Sequence, residues 1–229
     1  MHADHQLRLL EREILACQRC PRLRVYCQEV GQIKRRAYRD WVYWAKPVPG
    51  FGDPAARVLI IGLAPGAHGA NRTGRMFTGD RSGEYLYRAL HETRFANQAE
   101  ATSRDDGLTL TGAYIAAAGR CAPPYNKPAR EELARCREYL EREIDLLKEV
   151  KVVVALGLIA FQTYLGILRD RDQIQRLSDF KFGHGAEYRP HAGGPTLIGC
   201  YHPSQQNTST GKLTHEMLRA VFERASKLH

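Results

Sequence analysis

Four short runs of β-branched and small apolar residues constrain this chain more than any other feature. They are Arg57-Val-Leu-Ile-Ile61, Ala113-Tyr-Ile-Ala-Ala117, Lys151-Val-Val-Val-Ala155 and Thr196-Leu-Ile-Gly199. None alternates apolar with polar residues, so they suit strands covered on both faces, as in a parallel sheet. Between them the pattern becomes helical. From Pro128 to about Val150, Leu133, Cys136, Leu140, Ile144 and Leu147 recur at spacings of three and four. Pro128 is placed for the first turn of that helix, where its missing N–H costs nothing. Leu7, Leu10, Ile14 and Cys17 stripe a helix from Asp4 to Cys17, a third helix begins near Ser82 (Glu84 to Leu90), and a last one covers Leu213 to Leu228. Strands alternating with helices make βαβ units, so the predicted fold is α/β, three layers (α/β/α) around a mostly parallel four-stranded sheet.

The rest of the chain reads as connections. Gln28 to Pro54 carries Lys34-Arg-Arg36, both tryptophans and several Pro and Gly residues, and is predicted to be an irregular arm. Lys181 to Pro195, rich in Gly and His, is predicted to be a loop. There is no internal repeat, and residues 1–229 read as a single domain. The 34 Lys+Arg against 25 Asp+Glu leave a charge of +9, which suits a polyanionic partner. Met1 to Leu10 has no apolar signal core, and the longest apolar run, Val152 to Phe161, is half of the roughly 20 residues a bilayer span needs. A cytoplasmic protein without membrane contact is expected.

Ligands of an open parallel sheet bind at the carboxyl ends of its strands. Three loops converge on that edge: Gly62-Leu-Ala-Pro-Gly66 with its continuation to Gly74 and on to Asp80, Gly119 to Asn126, and Tyr201-His-Pro-Ser-Gln-Gln-Asn207. The first is neither a P-loop nor a dinucleotide fingerprint, so no nucleotide cofactor is expected. The glycines could admit an anion to backbone N–H groups or merely turn the chain. Six cysteines in a chain without a secretion signal read as metal ligands or buried thiols. Cys17-x2-Cys20 with Cys121 and Cys136 makes a tetrathiolate feasible, for [4Fe–4S] or for Zn²⁺, and spacing does not choose between them. Cys27 and Cys200 show no partner pattern and read as ordinary buried residues.

Taken together, Gly62-Leu-Ala-Pro-Gly66, Phe77-Thr-Gly-Asp80, Arg120-Cys-Ala-Pro-Pro-x-Asn126, His202-Pro-Ser204 and the four cysteines resemble the type-5 uracil-DNA glycosylases, from Cys17 to the final helix. The resemblance implies a monofunctional glycosylase that hydrolyses the N-glycosidic bond of uracil in DNA, single- or double-stranded, in base-excision repair; a monomer is expected. Where the related type-4 pattern has Glu this chain has Leu63, and its base-reading Asn is here Ala117. The departure at Ala117 agrees with the wider range the type-5 family implies, including hypoxanthine, xanthine and ethenocytosine. The resemblance also assigns Cys17, Cys20, Cys121 and Cys136 to a structural [4Fe–4S] cluster tying down the N-terminal helix.

Glycosylases turn the nucleotide out of the stack and cleave through an oxocarbenium-like sugar. On that reading His202 donates to the departing base and Asp80 holds the attacking water and the positive sugar. Phe77 stacks on the base and Asn126 contacts it, while Gly62, Leu63, Ala64, Pro65 and Gly66 supply backbone groups. Ser204, Gln205, Gln206 and Asn207 enter the DNA groove. By residue type alone Asp80 could simply cap the helix near Ser82, and Phe77 is more often core than platform. The alternative from another class is a metal-stapled nucleic-acid-binding protein without catalysis.

Overall fold

A computed structural model describes residues 2–228 of the protein. Helices α1 (His2–Leu15) and α2 (Pro21–Ile33) lead through a 3-10 turn (Arg36–Tyr38) to strands β1 (Phe51–Gly52) and β2 (Val58–Gly62). The short α3 (Ala70–Thr73) and α4 (Arg81–Glu92) precede β3 (Ala113–Ala117), and α5 (Arg130–Leu146) leads into β4 (Val152–Leu156). Then follow α6 (Leu158–Asp170), β5 (Glu187–Tyr188), β6 (Thr196–Cys200), α7 (Gln205–Ser209) and α8 (His215–Ser226).

The sheet runs β1-β3-β2-β4-β6-β5. Its four central strands are parallel, with Ile60 opposite Ile115 on one side and Val154 on the other. All residues of these four strands are buried, because helices cover both faces. Alternate residues of β2 divide between two cores. Val58 and Ile60 pack with Leu86, Leu90 and Phe222 of α4 and α8. Leu59 and Ile61 pack with Leu140, Phe161 and Leu165 of α5 and α6.

The predicted strands are thus the parallel core, but the sheet has six strands, not four. Two-residue antiparallel strands, β1 and β5, extend its edges. β5 lies inside the segment expected to be loop, and the expected arm begins late, since α2 continues to Ile33. Helix α1 stops at Leu15, leaving Cys17 just beyond its end. Ala129 flanks α5 as its N-cap, so Pro128 lies outside the helix and not in its first turn. Helix α6 went unpredicted, because the apolar run from Val152 to Phe161 has no period to divide strand from helix. Among the described residues no helix is long and apolar enough to cross a membrane.

Candidate active site

A cavity of about 460 Å³ opens at the carboxyl ends of the central strands, within the usual size range of ligand pockets. Gly62, Leu63, Ala64 and Gly66 line it from the loop after β2, Phe77 and Asp80 from the segment before α4, and Ala117 from β3. Asn126, His202, Ser204 and Gln205 complete it. Pro65, Gln206 and Asn207 do not line it. Asn207 is committed internally, its Nδ2 donating to the His202 carbonyl at 2.9 Å, while its backbone N–H donates to the Ser204 hydroxyl that caps α7 (3.4 Å). Asn126 stands exposed at the rim, on the left-handed pair Tyr125 and Asn126 (φ 55° and 57°).

Phe77 is held in a conformation its side chain disfavours, with φ at 53°. Such strain persists only where the surroundings over-determine it, and here they do. Tyr87 donates to the Met76 carbonyl at 2.8 Å, Thr73 Oγ1 donates to the Thr78 carbonyl at 3.1 Å, and Arg75 Nε donates to Thr78 Oγ1 at 2.9 Å. Arg75 is anchored in turn by a two-pronged pair with Asp106, at 2.8 and 2.7 Å. The Phe77 ring then meets the His202 ring at a centroid distance of 5.8 Å, tilted 33°. Gly62 makes that placement feasible: an added Cβ would lie 2.9 Å from the ring carbons.

Asp80 is placed for both tasks its residue type allows. It is the N-cap of α4, accepting the Gly83 N–H at 3.0 Å, and its carboxyl also faces the cavity. Desolvation pushes its pKa up, against the backbone donors of Gly83 and Ser82, which lower it. The carboxyl fits only because Gly69 has no side chain, since a Cβ there would overlap Oδ2. His202 sits deep in the same cavity, where burial pushes its pKa down to about 4. Its imidazole is therefore neutral at physiological pH, and among the described residues no protein group hydrogen-bonds the ring. Both nitrogens are available to a ligand.

His68, Gly69, Met76, Arg81 and Ser82 also line the cavity, and none was predicted. For His68 and Gly69 the signal in the sequence is the continuation Ala67-His-Gly69 of a glycine loop already singled out. Arg72 sits behind the wall, donating to the His68 carbonyl at 2.8 Å and to the Gly79 carbonyl at 2.6 Å.

The cysteines form a second feature. Cys20 and Cys121 are buried in one nest, and Cys17 packs with Cys136 beside Leu10, Ile14 and Tyr139. Cys20, Cys121 and Cys136 lie within electrostatic reach of one another. Cys27, read as ordinary, belongs to the same nest. It lies against Cys121 and directs its thiol at the Ala122 carbonyl. The Arg120 backbone N–H donates to Cys136 Sγ at 3.3 Å, and Arg24 enters the nest with Nε and Nη1 buried and unpartnered. Among the described residues no three His, Cys, Asp or Glu side chains converge closely enough to hold one metal ion.

Residues 49–226 match the family model described as the uracil DNA glycosylase superfamily. The chain is 51% identical over 215 residues to a type-5 uracil-DNA glycosylase of Thermus thermophilus, covering 94% of each chain. It is 47% identical over 220 residues to a type-5 uracil-DNA glycosylase of Mycobacterium leprae (96% of this chain, 94% of the relative). A type-5 uracil-DNA glycosylase of Mycobacterium tuberculosis is 46% identical over 216 residues, covering 94% of this chain and 79% of the relative.

Proposed function

The chain belongs to the uracil-DNA glycosylase superfamily, with the type-5 enzymes, and from that premise we propose that it hydrolyses the N-glycosidic bond of uracil in DNA on Asp80 and His202. The carrying observation is that these two side chains and the Phe77 ring line one cavity. A nucleotide turned out of the stack would enter it, at an unstacking cost of about a few kcal/mol, and its base would lie on Phe77. As the bond from the sugar carbon to the base nitrogen breaks, the bonding pair leaves with the base. Neutral His202 donates a hydrogen bond to the oxygen where that charge grows. The Asp80 carboxylate faces the positive sugar and orients the water whose oxygen takes the base's place, releasing a proton. Ala117 and Leu63 present no polar group selecting one base edge, so hypoxanthine, xanthine and ethenocytosine belong to the proposed range. Single- and double-stranded DNA are both proposed substrates, with a monomer as the acting form, Asn126 at the rim and Ser204, Gln205 and Gln206 at the groove.

We also propose that Cys17, Cys20, Cys121 and Cys136 hold a [4Fe–4S] cluster. The unpartnered Arg24 nitrogens and the Arg120 N–H suit an anionic thiolate group. One zinc ion would need four sulfurs within about 2.3 Å of a common point, whereas a cluster spreads its thiolates over separate irons. When bound, the group supplies a rigid tie between chain segments and no step of hydrolysis.

Single-turnover excision from a uracil-containing duplex tests the site. Asp80→Ala and His202→Ala should each slow cleavage by about 10²–10⁴-fold. Rates equal to the parent's would overturn the assignment.

A further inference from the structure

We propose that residues 34–46 form a second DNA-binding surface, gripping backbone phosphates that flank the nucleotide in the cavity; this rests on the reading of DNA as substrate. The segment Lys34-Arg-Arg-Ala-Tyr-Arg-Asp-Trp-Val-Tyr-Trp interleaves cations with aromatic rings, a pairing that suits sugar–phosphate and base faces together. Arg35, Arg36 and Arg39 are exposed, and among the described residues none is in an ion pair. The half-buried Arg142 and Arg171, by contrast, are neutralised by Glu13 and Asp145. Three unpaired guanidinium groups within five residues repel one another, and a polyanion removes that cost. Guanidinium forks also match phosphate geometry. Trp41 and Val42 stand out from the surface, at 36% and 91% exposure, where an arm serving only to pack would bury them.

The arm is rigid and rests on the wall of the cavity. Trp44 N–H donates to the Arg72 carbonyl and Ala45 N–H to the Asn71 carbonyl, each at 2.9 Å. The Arg72 guanidinium lies 3.9 Å from the Tyr38 ring centre and 4.1 Å from that of Trp41. The same guanidinium holds the Gly79 carbonyl, next to Asp80. Tyr43 Oη is 3.0 Å from His68 Nδ1, and His68 lines the cavity. The Arg35 charge reaches His68 closely enough to add to the lowering of its pKa that burial begins. A phosphate held by these arginines is therefore beside the turned-out nucleotide. The hollow beneath Tyr38 and Trp41 is lined by Glu84 and Glu100 as well as Arg72, so the phosphates belong on the outer, arginine-bearing side.

The test measures duplex binding by fluorescence anisotropy between about 50 and 200 mM salt, in an Asp80→Asn background that suppresses turnover. Each phosphate contact contributes about 0.9 to the slope of log K against log salt. The triple variant R35Q/R36Q/R39Q should flatten that slope by about 2–3 and weaken binding at least about tenfold near 0.1 M salt. R57Q/K148Q/K151Q removes the same charge at the opposite edge of the sheet, and should change the slope by less than about 1. Equal changes in the two triples, or an unchanged slope in the first, would overturn the proposal, as would loss of binding to an acidic protein but not to DNA. A parent protein that fails to excise uracil refutes the reading of the substrate instead, so the two failures are distinct.

Discussion

At the scale of single residues, Asp80 sets a conflict between stability and chemistry. Desolvation raises its pKa above the ordinary 3.8, so the folded state holds a proton more tightly than the unfolded chain. The sign follows: stability is fullest when the carboxyl is protonated and declines as pH rises through the folded-state pKa. His202 has the opposite sense. Its folded pKa of about 4 lies below the ordinary 6.5, so its contribution is full above about pH 6.5 and is lost as pH falls toward 4. Excision should therefore fall on the acid side, as protonation of Asp80, its pKa raised by desolvation, removes the carboxylate. Asp80→Asn keeps a good helix cap while removing the charge. It should raise Tm at pH 7 and slow excision by about 10²–10⁴-fold. Thermal melts at pH 7 decide the point: a Tm below the parent's contradicts a desolvated carboxylate. The double role of Asp80 was half legible from sequence, which offered cap and catalyst as alternatives because no linear pattern shows one carboxyl doing both.

Among elements, the site depends on two helix starts brought together. Gly69 is the N-cap of α3 and Asp80 that of α4, and they meet because Gly69 leaves space for Oδ2. Gly69→Ala should push the carboxyl aside while the strands and the two cores stay in place. A displacement of about 1 Å at a catalytic group can cost about 100-fold in rate, so single-turnover excision should fall by that order. The weakened cap should cost about 1 kcal/mol, or roughly 2–4 °C of Tm. Parent-like excision by Gly69→Ala would show that the carboxyl has room the packing denies it. Legibility from sequence also divides by element. The parallel strands were readable because burial on both faces leaves unbroken β-branched runs. β1 and β5 were not, since two residues such as Phe51 and Gly52 carry no period. The glycines after β2 were visible as a turn-rich loop, but that Gly69 makes room for Asp80 is a contact across eleven positions, and only the folded chain shows it.

Across the whole molecule, the four cysteines gather three distant pieces of chain onto one side of the sheet. Cys17 and Cys20 lie between α1 and α2, Cys121 follows β3, and Cys136 is in α5. α1 contributes Leu7, Leu10 and Ile14 to buried clusters, a small apolar area to hold an N-terminal segment against a loop of about a hundred residues. A tie across such a loop lowers the entropy of the unfolded chain by an amount worth about 4–5 kcal/mol in the chain-entropy treatment of cross-links. For a domain of this size that corresponds to roughly 10 °C or more of Tm. The purified protein should thus absorb broadly near about 400 nm and contain iron, and oxidative removal of the cluster should lower Tm by that amount. Cys136→Ser should do the same and bleach the absorbance, whereas Cys200→Ser, remote from the nest, should leave the spectrum unchanged. Stoichiometric zinc in a colourless protein, or a melt indifferent to iron removal, would contradict the assignment. The proposed tie would also bear on the arm, because α2, which begins next to Cys20, leads directly into the Arg35–Arg39 segment. Losing the cluster should therefore weaken DNA binding and flatten its salt dependence before the parallel sheet itself melts.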